Sequence, residues 1–316
     1  MADVRLLTDI GSGRSIWQKL VPPETIWDLW EVRECFHRNF QRPSLFLTVR
    51  EKDRLRGFLP LSWLEESGCY GYFPGETWSG KTWIEQNRIP AEDSAVLKTL
   101  LSGCPENYHL RYLACRKEEP FRGSVVDEIG YLFRPSRYGF NMDGYFREFS
   151  RKSRARIRKE LGSIHARGIN YRYDRDADFK ELVALNRIRF GETSYFSDRR
   201  FTDSFRELVG LLRDRGWLRV TTVLIGNRIG AVDIGAVYNQ TYTLLAGGTN
   251  PDFPGVAKII NLHHMDFACR RRLRTVDFLC GDFAWKKIFH LCPRPLYLLS
   301  SVPKNQRASS GADENG

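Results

Sequence analysis

Between Asn227 and Lys287 the sequence runs from two strand-like segments, Asn227–Tyr238 and Gln240–Gly247, through a Pro-Gly loop into a long helical pattern, Val256–Arg272. The loop reads Thr249-Asn250-Pro251-Asp252-Phe253-Pro254-Gly255, and the helix leads to Val276-Asp277-Phe278-Leu279-Cys280-Gly281-Asp282-Phe283-Ala284-Trp285-Lys286. A strand that breaks at glycine and restarts as a helix turns several unpaired backbone N–H groups toward one point. With the helix dipole behind them, such donors make a site for phosphate oxygens. Here that places a phosphate-bearing ligand on the backbone of Gly255, Val256, Ala257 and Lys258. An ordinary loop, with Gly255 needed for its turn and Pro254 as a helix start, would read the same way.

Charge and composition narrow the class. With 316 residues the chain has room for two domains, and 42% hydrophobic with 13% aromatic residues marks it as globular. The net charge of +11 is uneven: residues 134–167 hold ten basic side chains against three acids, Asp143, Glu148 and Glu160. Such a concentration suits an anionic partner. Seven scattered cysteines without a CxxC pair give neither a disulfide framework nor a zinc site. No apolar run approaches the roughly 18 residues of a membrane span. Met1-Ala2-Asp3-Val4-Arg5 shows no secretory pattern. The expectation is a cytoplasmic protein.

Periodicity predicts mixed α/β structure throughout. Trp27–Phe40 reads as a helix, Ser44–Arg50 and Leu55–Leu64 as strands, and Glu92–Ser102 as a helix. Tyr108–Cys115 and Glu128–Phe133 alternate as strands. Ser150–Arg167 is a helix with Ile157, Leu161 and Ile164 on one face and two basic ridges beside it. Then follow strand Ile169–Arg175, helices Asp176–Arg189 and Asp198–Arg215, and strand Trp217–Ile225, with tight turns at Gly226-Asn227 and Asn239-Gln240. After the Pro-Gly loop and its helix come strand Thr275–Leu279, a helical turn near Asp282–Phe289 and strand Leu296–Val302. The tail 304–316 lacks apolar residues other than alanine and is expected to be disordered.

The order β-α-α-β-β-β-loop-α-β-α-β from Ile169 to Val302 resembles the Gcn5-related N-acetyltransferase (GNAT) fold. Three stretches are similar to the BioF2/CelD-like acetyltransferases, relatives of the FemAB peptidoglycan aminoacyltransferases. They are the basic run Ser150–Lys159, Pro254-Gly255 before the long helix, and Asp277-Phe278 followed by Gly281-Asp282, an aromatic and Lys286. The third is the most specific. The resemblance implies two tandem GNAT-like domains, each a mixed twisted sheet flanked by helices: residues 1–140 as a degenerate copy and 141–303 with the cofactor loop. The sequence departs from that pattern at the loop, where Gly255-Val256-Ala257 supplies only the G-x-A form.

Under that resemblance the chain is an N-acyltransferase that moves an acyl group from acetyl-CoA or another acyl-CoA to an amine of a small or carrier-bound acceptor. The amine attacks directly, with no covalent enzyme intermediate. Asp282, just past a central strand, is the candidate base, with Lys286 one turn on to hold a substrate carboxylate or phosphate. An exposed Asp–Lys pair at this spacing would otherwise only steady its helix. Tyr242 and Tyr195 are candidate acids for the leaving thiolate, though core tyrosines are commoner. Gly247-Gly248 reads as a strand break where a ligand amide approaches the backbone.

Arg154 and Arg158 are candidates for an anionic ligand, against the plainer reading of a solvated helix face. Asp233, alone among apolar strand residues, needs a partner: a structural ion pair or a substrate contact. His263 and His264 point about 100° apart on a helix, so they cannot share a metal, and none is expected. Two alternatives stand beside acyl transfer. A FemAB-like enzyme would take its acyl group from aminoacyl-tRNA, held by the basic segment, with no DNA partner. A non-catalytic GNAT-like scaffold would bind neither.

Overall fold

The computed structural model describes residues 3–52, 54–115, 121–281 and 284–303. The tail at 304–316 and Asp282 therefore lie outside the described residues. The chain divides into two compact units, residues 1–129 with 203–208 and 295–316, and residues 130–202 with 209–294.

The first unit opens with β1 (Asp3–Leu7), α1 (Ile10–Leu20) and α2 (Trp30–Phe40). Neither β1 nor α1 was expected from the sequence. α1 carries two glycines and no clear apolar repeat, and its start rests on Asp9, whose carboxylate accepts from the Ser12 amide at 2.7 Å. Gly13 is demanded by packing, since a Cβ there would stand 2.6 Å from the Phe46 ring. Strands β2 (Ser44–Glu51), β3 (Arg54–Leu64) and β4 (Cys69–Tyr72) join β1 in an antiparallel sheet ordered β1-β2-β3-β4. The short pair β5 (Thr77–Trp78) and β6 (Lys81–Thr82), α3 (Ser94–Ser102), β7 (His109–Leu113) and β8 (Val125–Phe133) follow. The core is aromatic: Trp17, Trp30, Phe46, Phe58 and Phe73 are buried together, with Trp30 stacked on Phe73 at 4.8 Å.

The second unit begins within β8, at Gly130, and continues with α4 (Met142–Phe146), α5 (Arg151–His165) and β9 (Ile169–Tyr173). Next come α6 (Asp178–Phe190), α7 (Arg199–Asp214), β10 (Leu218–Ile225), β11 (Arg228–Tyr238) and β12 (Thr241–Thr249). α8 (Val256–Arg270), β13 (Thr275–Asp277), α9 (Ala284–Ile288) and β14 (Cys292–Ser300) complete the order. Strands β9 to β12 are antiparallel neighbours in sequence order. Both predicted turns are present, with left-handed φ at Gly226 (54°) and Asn227 (64°) and at Asn239 (45°) and Gln240 (59°). That pair of positive angles matches the twist of a tight hairpin. β13 lies parallel to β12, reached through α8 as the crossover, and Leu132–Phe133 of β8 flank it antiparallel.

The result is the expected mixed sheet flanked by helices. α8 covers one face, where Val223, Ile225 and Ala231 meet Phe253, Val256, Ile259, Ile260 and Ile164 of α5. Each such buried Val or Ile contributes about 1.5–3 kcal/mol. α6 covers the other face, where Thr222 donates to Asp178 at 2.5 Å.

Candidate active site

β12 and β13 begin side by side and then part. They pair only at Thr241–Thr243 with Thr275–Asp277, whereas β12 continues beside β11 to Thr249. The chain after β13 pairs instead with β8: the Phe278 amide donates to Tyr131 O at 2.9 Å, and the Tyr131 amide to Leu279 O at 3.2 Å. Beyond Thr243, therefore, the β13-facing edge of β12 has no strand against it among the described residues. Leu245 bulges out of the β11–β12 ladder, which steps from Gly235↔Leu244 to Ile234↔Ala246. A bulge there adds twist at the point where the edge opens.

Asp277, Leu279 and Lys286 hold this divergence in place. The Asp277 carboxylate accepts from the Leu279 amide at 3.0 Å and from Arg294 at 3.1 Å. Leu279 adopts a left-handed φ of 57°. Lys286, 2% exposed, turns back to donate to the carbonyls of Phe278 and Leu279 at 3.0 Å and of Cys280 at 2.6 Å. An ammonium so wrapped has no donor to offer a substrate, so the expected role of Lys286 on a substrate anion is corrected. It fastens the turn that parts the strands.

Another expectation changes. β12 runs unbroken through Gly247 and Gly248, so these residues are not a strand break. A Cβ on Gly248 would lie 2.8 Å from Leu182 O and 2.9 Å from Leu185 Cβ, and one on Gly247 would overlap Asp233 Oδ1. The glycines admit α6 and a carboxylate. Asn186 also occupies the Gly247 carbonyl, at 3.0 Å. Tyr242 is wholly buried, and burial holds its phenol well above the ordinary pKa. It lies 4.9 Å from the His264 ring, inside the sheet–α8 interface.

From the end of β12 at Thr249 the chain passes through the Pro-Gly loop to the start of α8 at Val256. Gly255 has the left-handed φ of 87°. The Val256 amide donates to Phe253 O at 3.1 Å and the Lys258 amide to Gly255 O at 3.0 Å. The Gly255 and Ala257 amides have no backbone acceptor among the described residues. Of the four donors expected to meet a phosphate, two remain available. α5 flanks this point: Ile164 Cδ1 stands 2.9 Å from where a Gly255 Cβ would be, and Glu160 pairs with Lys258. Higher on α5, Arg158 is exposed and Arg154 half-buried, and neither side chain has a polar partner among the described residues. Tyr195 is in the short turn Tyr195–Ser197 ahead of α7, its ring 5.1 Å from Phe201.

Asp233 and His264 come together beneath the open edge. Asp233 is 4% exposed, and its Oδ2 lies 2.9 Å from Nε2 of the fully buried His264. Sequence reading saw the acid without its partner, because β11 and α8 are joined only by the fold. His263 faces elsewhere, stacked on Tyr171 at 4.0 Å, with its Nε2 3.1 Å from the Tyr173 hydroxyl. Burial is the main cause that pushes its pKa down to about 3, with positive charge from His264, Arg219 and Arg270 adding to it. A separate open cavity of about 450 Å³ has Tyr131, Arg137, Tyr138, Glu148, Lys287 and His290 in its lining. Among the described residues no group of three or more His, Cys, Asp or Glu could hold a metal, and no helix is long and apolar enough to cross a membrane.

Comparison with known proteins follows the same lines. Residues 151–287 match the family model for the acetyltransferase (GNAT) domain. No curated protein matches the chain in sequence. Among solved structures, FemX aligns with a TM-score of 0.58 at 11% identity, over 93% of this chain and 96% of that one. The C-terminal domain of a putative lysylphosphatidylglycerol synthetase from Agrobacterium fabrum gives 0.54 at 12%, over 95% of each chain. A tandem GNAT protein from the clavulanic acid biosynthesis pathway gives 0.52 at 9%, over 96% of this chain and 100% of that one. At such identities the likeness establishes the fold. With its divergent strands, its bulge and the match over residues 151–287, the second unit carries an acetyltransferase (GNAT) domain.

Proposed function

We infer that this protein transfers an acyl group from acyl-CoA to an amine. The observation that carries the reading is the open edge of β12 from Leu244 to Thr249, from which the chain runs directly through the Pro-Gly loop to the Gly255 and Ala257 amides at the start of α8. Backbone groups along such an edge, apart from the Gly247 carbonyl that Asn186 takes, suit the amides of a pantetheine arm, and a helix start suits the diphosphate. The thioester carbonyl then lies where the strands diverge. Attack there by a neutral amine gives a tetrahedral oxyanion that nearby backbone N–H groups steady, and the thiolate departs. Asp282 remains a candidate base from its place in the sequence. The seven cysteines are unbridged, which fits a reducing compartment such as the cytoplasm.

A second reading takes the acyl group from aminoacyl-tRNA. It is favoured by one observation, the unpartnered Arg154 and Arg158 on a helix rich in basic residues. Binding of that kind should weaken steeply with salt.

Acetyl-CoA as a ligand separates these readings. Acyl transfer from CoA predicts a rise in melting temperature with acetyl-CoA that survives moderate salt. No shift with acetyl-CoA, together with salt-sensitive tRNA binding, would favour the second reading; silence with both would leave a scaffold.

A further inference from the structure

We propose that Asp233, backed by His264, is the base that takes the proton from the acceptor amine. The assignment rests on the acyl-transfer reading above and names a group that reading leaves open.

Three buried carboxylates of the second unit show what sets Asp233 apart. Asp178 engages both oxygens with Arg172, at 2.6 and 2.9 Å, and accepts from Thr222 as well. Asp277 does the same with Arg294 and the Leu279 amide. These are fully satisfied and structural. Asp233 has one partner, His264 on Oδ2, and its Oδ1 has none among the described residues. That oxygen occupies the space a Cβ would fill on Gly247, so the carboxylate leans from β11 across β12. Gly247 belongs to the part of β12 whose other edge is open. The unengaged oxygen thus points toward the edge where the thioester is placed.

The surroundings of the pair are polar. Thr221 Oγ1, Tyr242 Oη, His264 Nδ1 and Arg219 Nε are all buried without a hydrogen-bond partner. Buried polar atoms are nearly always satisfied, and a cluster of exceptions calls for water or a ligand group. Thr221 sits directly opposite Asp233 in the β10–β11 register. The charged and titratable groups around the pair are Tyr242 from β12 and His263 from α8, whose rings lie 4.9 and 6.3 Å from that of His264, with Arg219 from β10 and Asp174 beyond β9 acting on Tyr242. Arg219 is held over the Phe267 ring at 3.7 Å.

The proton count closes. The amine nitrogen forms the C–N bond to the thioester carbonyl carbon, and the C–S bond breaks with its electron pair on sulfur. The surplus N–H proton passes to Asp233 Oδ1, directly or through one water, and from there to solvent. The CoA thiolate takes a proton from water, so amide and free thiol result. His264 touches no reacting atom and is a positioning residue: its Nε2, 2.9 Å from Oδ2, fixes the carboxylate.

The test uses the whole protein, acetyl-CoA and a panel of primary amines, with thiol release as readout. Asp233→Asn should lower kcat by about 100- to 1,000-fold while calorimetric acetyl-CoA affinity and melting temperature stay near wild type. His264→Gln should move the acidic limb of the kcat/KM pH profile, which a purely structural role would leave in place. Independently of any acceptor, acetyl-CoA should shift the His264 imidazole resonances in wild-type protein. Wild-type kcat in Asp233→Asn, an unmoved pH limb in His264→Gln, or unshifted His264 resonances with acetyl-CoA bound would each overturn the assignment. Should Asp233→Asn fail to fold, the other two measurements decide. Wild-type protein that binds no acetyl-CoA contradicts instead the acyl-transfer reading itself.

Discussion

Each unit buries a charge, and the two charges are treated differently. In the first unit Arg33, 1% exposed, donates to Trp27 O at 3.0 Å, Phe73 O at 2.7 Å and Asn87 Oδ1 at 2.9 Å. Its guanidinium also lies over Trp17 and Tyr72 at 4.9 and 5.0 Å. Burial drags its pKa down, against the pull of Tyr72, Glu76 and Asp28. This is a cation used as a bolt, drawing a helix, a loop and an aromatic core together. In the second unit Asp233 is held on one side by His264, and its other oxygen faces an open strand edge. A buried charge tied to several elements, as Arg33 is through Nε and Nη1, maintains structure; one held by a single partner is available for chemistry.

The sharpest way to break that contrast is Arg33→Ala. It leaves two carbonyls and an amide oxygen buried without donors, so urea unfolding should show a loss of about 3–5 kcal/mol. A loss under about 1 kcal/mol would mean that Arg33 is no bolt. Lys286→Met comes next. Its ammonium serves three carbonyls, and losing charged hydrogen bonds of this kind costs about 1.5–3 kcal/mol. The turn should loosen, and acetyl-CoA binding should fall with stability; lost turnover at unchanged stability would restore Lys286 to a substrate role.

Smaller effects sharpen the picture. Gly247→Ala pushes a methyl against Asp233, and overpacking of this kind costs about 1–3 kcal/mol. Thiol release should drop more than melting temperature suggests, and normal turnover would show that the carboxylate does not need its place over β12. The least effect concerns His263. Its folded pKa of about 3 lies below the 6.5 of an unperturbed imidazole, so the unfolded chain binds the extra proton between these values. Its contribution to stability is complete above pH 6.5 and is lost as pH falls toward 3. His263→Phe should flatten that part of the stability profile; an unchanged slope would assign it to other groups.

Much of this arrangement is written locally. The second unit's element order follows from alternation, from the two-residue turns at Gly226 and Asn239, and from the Pro-Gly entry to α8. Each of these is decided within a few residues. α1 escaped because its stability comes from elsewhere: a cap at Asp9 and a glycine that lets Phe46 close in. The site was legible in part for the same reason. Asp233 stood out as an acid among apolar neighbours, but its partner is 31 positions away, brought near only by the crossover through α8. Lys286 was read forward toward a substrate, whereas the turn it closes lies behind it. Gly247 and Gly248 looked like openings for a ligand because sequence does not show what leans over a strand. Here a carboxylate and a helix do.

The central claim is that the backbone at the start of α8, reached through the Pro-Gly loop from the open edge of β12, grips the diphosphate of acyl-CoA. Amide resonances followed while acetyl-CoA is titrated into isotope-labelled protein test it residue by residue. The account predicts large shifts at Gly255 and Ala257, whose N–H groups lack acceptors, smaller ones at Val256 and Lys258, and a trail along Leu244–Thr249. Saturable binding that leaves Gly255 and Ala257 unmoved would contradict it.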